Sequence, residues 1–308
     1  MQTEIINTNF LNLFNDGEFV VSTLNEFFDK KQKYDANPYI PHRLTFFAIV
    51  FFIDGKGCHH IDFTNFRYQE MSLFFICKGQ LHAFEERDDA NGYILYFTDD
   101  FVNRNLEAFS DKLYYQMFNC GFNSPQLCIS DDDDQRKDII ALFEIMYREY
   151  QRSEDALKEE IIRCLLKTIL HCGERMKAKD DAFLANHKSH ALFIRLQYLV
   201  EENIFESRNS QFYCEKLNVG YRKLNAICKE FTGMTMRKFI DDRLVLEIKR
   251  LLINCDYSIK EICYKTGFDE PTNMTKFFRC NTGILPKEFR ATLQLEPVNT
   301  PTHNQIKH

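Results

Sequence analysis

The sequence predicts an α+β chain: an N-terminal β-barrel with a helical pair, then an all-α domain with two helix-turn-helix units. Three observations predict it. Short aromatic and β-branched runs broken by turn residues fill residues 44–101, apolar residues recur at helical spacing after residue 138, and an eight-residue pattern returns 50 positions later near the C-terminal end. At 308 residues the chain suits about two domains, each large enough for its own core. A hydrophobic content of 44% with 30 Phe and 14 Tyr excludes a disordered or low-complexity chain.

The barrel begins at Leu44–Ile53, an apolar run closed by the hairpin residues Asp54-Gly55-Lys56-Gly57. Cys58–Phe63 alternates toward Phe66 and Tyr68, Ser72–Cys77 ends at Lys78-Gly79, and Tyr93–Phe97 closes the series. This spacing suits a small barrel or sandwich. After Asp131–Asp134 the period changes to helical. Ile139, Ile140, Leu142, Phe143, Met146 and Tyr147 make one apolar face, and Ile161, Ile162, Leu165, Leu166, Ile169 and Leu170 make a second. The polar segment 151–156 between them predicts an antiparallel pair. The last residues of the acidic run suit an N-cap, and the run lacks the loop glycine and distal glutamate of a calcium loop. Residues 173–190 are polar and charged and read as a linker. From Ala191 the chain is helical in character, with turn signals every 10 to 20 residues or so.

No run of 18 apolar residues occurs, so no membrane-spanning helix is expected. The first residues lack a basic segment and a cleavage site, which predicts a cytoplasmic protein. Eleven cysteines, with no Cys-x-x-Cys and several inside apolar runs, read as buried thiols. The net charge of −6 hides two parts of opposite sign. Residues 1–189 carry 21 basic and 31 acidic residues, whereas 190–308 carry 18 and 14; within 208–290 the tally is 16 against 10.

The repeat decides the C-terminal half. Thr232-Gly233-Met234-Thr235-Met236-Arg237-Lys238-Phe239 and Thr282-Gly283-Ile284-Leu285-Pro286-Lys287-Glu288-Phe289 share Thr-Gly, a basic residue and a final Phe. The register extends backwards: Leu224 falls on Met274, Ile227 on Phe277 and Lys229 on Arg279. Each copy offers a short supporting helix, a tight turn and a second helix. In the second copy Ser258 and Glu261 form a capping box, Gly267 allows the reversal, and Pro271 opens the next helix. In the first, Gln211–Leu217 supports Tyr221–Phe231. A helix-turn-helix lays its second helix in the DNA major groove. Arg222, Lys223, Asn225 and Lys229 then face outward on one reading helix, and Thr272, Asn273, Thr275, Lys276 and Arg279 on the other. Arginine reads guanine and asparagine adenine, while the other polar and basic residues suit base edges or phosphates. Between the units, Met236–Asn254 is long enough for one helix of about 25 Å. With the flanking units added, two reading helices reach major grooves about 34 Å apart.

Residues 192–292 resemble the DNA-binding domain of the AraC/XylS family of transcription regulators. Carrying the likeness are Arg243-Leu244, Lys249-Arg250-Leu251-Leu252, Ser258–Ile262, Gly267-Phe268, Phe278-Arg279, Thr282-Gly283-Ile284, Pro286 and Phe289-Arg290. The resemblance places base reading at Arg222, Asn225 and Ala226, then at Thr272, Thr275 and Lys276. Ala226 stands where relatives often have arginine and offers only a thymine methyl contact. Ile248 replaces a common alanine, Cys228 a phenylalanine, Gly220 a hydroxyl cap and Leu285 a small hydroxyl residue.

Pro41–Phe47, Gly57, His60–Phe63 and Lys78–His82 resemble the cupin-like sensory domain attached to many such regulators. The resemblance implies an effector-binding cupin-like β-barrel, dimerisation through helices within 135–171, and promoter activation through RNA polymerase. His42, Arg43, His60 and His82 are the candidate polar anchors for a small-molecule effector. The domains expected are 1–172 sensory and dimerising, 173–190 linker, 191–295 DNA-binding, and 296–308 a flexible tail.

Two alternatives stand beside this reading. One is a constitutive regulator whose barrel is purely structural. The other is a metal-dependent cupin enzyme using His59, His60, His82 and Glu85 or Glu86. Adjacent strand residues point to opposite sides, so His59 and His60 do not both line one cavity. The expectation is therefore a DNA-binding protein with no metal, no cofactor and no catalytic residues.

Overall fold

The computed structural model describes residues 18–30, 37–86, 90–103, 117–118, 124–129, 132–180, 188–253 and 257–295. The N-terminal half is made of two sheets. The first has the order β1-β8-β3-β6-β9, with β1 Phe19–Thr23, β3 Phe47–Asp54, β6 Ser72–Ile76, β8 Asn91–Phe97 and β9 Gln126–Cys128. The second has the order β2-β7-β4-β5, with β2 His42–Arg43, β4 Gly57–Ile61, β5 Thr64–Tyr68 and β7 Leu81–Phe84. Both are antiparallel, with Val50 opposite Phe74 and Ile94, and His42 opposite His82. Two short helices, α1 Leu24–Lys30 and α2 Asp99–Asn103, follow β1 and β8.

The expected barrel is not formed. Among the described residues no ladder joins the two sheets; they pack as a sandwich. Val20, Val50, Phe52, Phe74 and Tyr96 of the first sheet share one core with Ile61, Tyr68 and Phe84 of the second. Strand spacing alone does not distinguish this from closure, because closure depends on whether the outermost strands find each other. The opposite face of the first sheet is also covered. Ile49, Phe51, Leu73, Phe75 and Leu95 pack against α3 Asp133–Gln151 and α4 Lys158–Asp180 through Phe143, Met146, Ile162, Leu166 and Ile169. Burial on both sides is why β3 reads as an unbroken apolar run rather than an alternating one.

The Asp132 side chain caps α3 by accepting the Gln135 N–H at 3.2 Å; Asp131 lies outside the described residues. Helix α4 continues to Asp180, so the segment read as linker begins inside it, while 181–187 and the tail 296–308 lie outside the described residues. The cysteines do not all behave as buried thiols. Cys214, Cys228 and Cys263 are buried, Cys128, Cys164 and Cys280 are exposed, and Cys77 is disulfide-bonded. Among the described residues no helix is long and apolar enough to cross a membrane.

The C-terminal half is helical: α5 Lys188–Asn203, α6 Ser210–Leu217, α7 Tyr221–Thr232, α8 Met236–Ile253, α9 Ile259–Lys265, α10 Pro271–Thr282 and α11 Pro286–Leu295. One apolar core runs through it, with Phe239, Ile240, Leu244, Ile248 and Leu252 of α8 between Leu224 and Ile227 on one side and Ile262, Met274 and Phe278 on the other. The spacer helix is thus continuous over 18 residues, about 27 Å long, and packed along its length; Asn254, included in the sequence expectation, lies outside the described residues.

Candidate nucleic-acid interface

Each unit is assembled by local chemistry. Asn209 starts α6 by accepting the Gln211 N–H at 3.0 Å, and Asn218 ends it in the left-handed region at φ 53°. Helix α7 begins at Gly220 with no side-chain cap. In the second unit Ser258 and Glu261 form the full capping box, with the Ser258 N–H donating to Glu261 at 2.7 Å and the Glu261 N–H to the Ser258 hydroxyl at 3.2 Å. Those bonds hold the Glu261 carboxyl below its usual range. The repeated Thr-Gly closes both reading helices alike: Gly233 and Gly283 are left-handed caps at φ 71° and 82°. Gly267 is required twice over. Its φ is 73°, and a Cβ there would sit 2.2 Å from the Phe205 carbonyl oxygen at the end of α5.

On α7, Leu224, Ile227 and Cys228 are buried, and Arg222, Lys223, Ala226 and Lys229 are exposed. Burial pushes the Cys228 thiol up to about 12, so this replacement of phenylalanine is an inert filler. On α10, Met274 and Phe278 are buried, Thr272, Asn273, Lys276 and Arg279 exposed, and Thr275 half-buried. Asn225 differs from the simple outward picture: its side-chain oxygen accepts the Met236 N–H at 3.0 Å and caps the spacer helix. A bidentate adenine contact uses that oxygen, so base reading by Asn225 would share it with the Met236 N–H.

The Arg208 guanidinium, not singled out from sequence, lies 4.0 Å from the Phe268 ring centroid and 5.6 Å from that of Phe277. It thereby joins the start of the first unit to the second. No local pattern marks this contact, because its partners are 60 residues and more away.

In the sandwich, His42 and His82 are buried together, their ring centroids 4.3 Å apart. The third member is His59 rather than His60. His59 is wholly buried, stacks on Phe84 at 4.6 Å, and its Nε2 lies 3.2 Å from His82 Nδ1. Burial drives His42 down to about 4 and His59 to about 3, and holds His82 well below the usual range; all three are neutral imidazoles at pH 7. His60 points the other way and pairs with Asn65 at 2.6 Å. Strand parity carried the signal, since His59 shares a face with the apolar Ile61. Arg43 also turns outward, to Glu247 on the spacer helix at 3.2 Å. Glu85 accepts the Cys58 N–H, and among the described residues no group of three or more His, Cys, Asp or Glu is placed to hold a metal ion.

Comparison with known proteins falls on the same two halves. A helix-turn-helix domain family matches residues 213–292, and an AraC-like ligand-binding domain family matches residues 30–166. The HTH-type transcriptional activator RhaR of Enterobacter sp. (strain 638) is 20% identical over 259 residues, covering 84% of this chain and 89% of its own length. The activator RhaS of Yersinia pestis (strain Pestoides F) is 23% identical over 257 residues, covering 82% and 89%. Among solved structures, ToxT from Vibrio cholerae aligns over 89% of this chain and 98% of its own at 12% identity and a TM-score of 0.43. With a half that matches the AraC-like ligand-binding domain family preceding two helix-turn-helix units in one chain, the protein belongs to the AraC/XylS family of sequence-specific DNA-binding transcription regulators.

Proposed function

We propose that the protein is an effector-responsive transcriptional activator that acts in the cytoplasm as a homodimer and engages RNA polymerase at its promoters. The observation that carries the DNA-reading part is the pair of equivalent helices α7 and α10, each with its polar side outward, held by one unbroken α8. Arg222 reads guanine, Ala226 contacts a thymine methyl, and Thr272, Thr275 and Lys276 read the second groove. Lys223, Lys229, Asn273 and Arg279 hold phosphates or base edges, and Asn225 contributes its amide. Activation is supported by the relatives RhaR and RhaS, both transcriptional activators.

A small-molecule effector is supported by the buried histidine face. His59 Nδ1 and His82 Nε2 have no hydrogen-bond partner among the described residues, and unsatisfied buried polar atoms cost free energy unless something binds them. Dimerisation through α3 and α4 is supported by exposed apolar side chains on and beside them: Leu157, in the turn just before α4, is 65% exposed, Ile145 41% and Ile161 37%.

The test is a random-library DNA selection on the purified full chain, repeated with two variants. Arg222→Ala should lose about 1–3 kcal/mol at the preferred site and relax one base pair. Lys229→Ala should weaken all sequences alike and lower the salt dependence by about one unit. Unchanged sequence preference in Arg222→Ala overturns the assignment of α7.

A further inference from the structure

The two helix-turn-helix units meet directly as well as through α8, and residues outside both reading faces make the contact. In the turn of the second unit, Gly267 lies so close to the chain just past α5 that a Cβ would sit 2.2 Å from the Phe205 carbonyl oxygen. A little further along that chain, the guanidinium carbon of Arg208 lies 4.0 Å from the ring centroid of Phe268 and 5.6 Å from that of Phe277. Phe268 belongs to the apolar core of the helical half, whereas Arg208 is exposed. The planar guanidinium therefore covers a core ring from outside, a stacking that arginine supports and lysine does not match.

Asn209, which caps α6, follows Arg208, and α6 supports α7. Phe268 stands in the turn that leads into α10, and Phe277 on α10 itself. A single side chain thus ties the start of one reading unit to the turn and the helix of the other. Around it the units leave a groove of about 710 Å³, lined by Tyr221 of α7, Arg237 and Asp241 of α8, and Phe277. Packing on one rod sets how far apart two units sit. Rotation of one unit about that rod is resisted best by a contact away from its axis, and Arg208 with Gly267 supplies one. Duplex DNA makes this rotation matter, because each added base pair moves a sub-site by about 3.4 Å and turns it by about 35°.

We propose that Arg208 is a positioning residue for DNA reading: stacked across the two units, it sets the base-pair spacing that α7 and α10 accept and leaves the choice of bases to them. The ligand is one continuous duplex whose two sub-sites lie in neighbouring major grooves. This role rests on α7 and α10 being the reading helices, as proposed above; the bases selected test that reading, and the spacing tests the joint. A cation–π contact at an exposed site is worth a factor of about two to five, and that is the size of spacing preference it carries.

The full chain and its variants Arg208→Ala and Arg208→Lys are put through random-library selection, and the preferred site is then rebuilt with one base pair added or removed between its sub-sites. Fluorescence anisotropy gives the affinity of each protein for the three duplexes. The unaltered chain should bind the altered spacings more weakly than the selected one. In Arg208→Ala that penalty should shrink by about twofold to fivefold, with the same bases selected. Arg208→Lys should follow Arg208→Ala in spacing, because it keeps the charge without the flat stacking surface. A spacing penalty that is absent in the unaltered chain, or unchanged in Arg208→Ala, overturns the role given to Arg208. So does an equal weakening on all three duplexes that Arg208→Lys restores, which marks a phosphate contact. A selection that returns no paired sub-sites overturns the reading helices and the role of the joint together.

Discussion

Lowering the pH from about 7.5 to about 5.5 should cost the sandwich about 3 kcal/mol of stability through His42 and His59, with a further loss in the same direction from His82, because all three are buried as neutral rings. In the native state burial holds the first two at about 4 and about 3 and the third well below its usual range. In the unfolded chain each titrates near 6.5. Between these limits the unfolded chain binds protons that the native chain does not, so stability is complete above about pH 7 and is lost as the pH falls. His42 and His59 each lose about 1.4 kcal/mol at pH 5.5 relative to the fully deprotonated state and about 0.1 kcal/mol at pH 7.5, and His82 adds to the loss. Glu247, which burial would raise but Arg243, Arg250 and Arg43 carry down to about 2, loses its contribution only at lower pH, and His60 stands outside the core. Urea unfolding of the full chain, followed by far-ultraviolet dichroism and intrinsic tyrosine fluorescence at pH 7.5, 6.5 and about 5.5, measures the slope. Replacing His82 by Gln should make it shallower. A flat profile over this interval would refute the neutral buried cluster.

Three further outcomes follow from named contacts. Gly267→Ala should destabilise the helical half by about 2 kcal/mol or more, since the new Cβ meets the Phe205 carbonyl at 2.2 Å; an unchanged thermal midpoint counts against this turn. Gly220→Ser should stabilise α7 by a few tenths to about 1 kcal/mol. The position has ordinary φ −63°, open space around a Cβ and no existing side-chain cap, and thermal unfolding reads the gain. Ile161→Glu should shift the protein from dimer to monomer in sedimentation equilibrium, with its circular dichroism kept; a dimer that persists moves the interface off α4.

What could be read without coordinates was whatever is encoded within about one helical turn or one hairpin. The capping box at Ser258 and Glu261, the reversal at Gly267, the Thr-Gly caps and the inward stripe of α10 depend on neighbours a few positions apart. Even there two side chains have surroundings that the local pattern does not show. Asn225 has the type and spacing of a base-reading residue, and its oxygen also accepts the N–H of Met236, eleven residues on. His59 and His60 are adjacent, and it is His59, on the same strand face as the apolar Ile61, that enters the core. The closed barrel failed for a different reason: strand composition is the same whether the edges meet or stay open.

By itself, then, the sequence determined that there are two halves of opposite charge, that the second is a repeated helix-turn-helix with a spacer between, and which family it joins. Only the tertiary structure decided that the sheets form an open sandwich, that three histidines meet in its core, and that Asp62 grips Arg250 across 188 positions. The division has a physical origin. Helix caps and apolar periodicity are short-range interactions whose partners are written side by side, whereas sheet closure and buried ion pairs depend on where the folded chain returns, and that is settled by the packing of the whole.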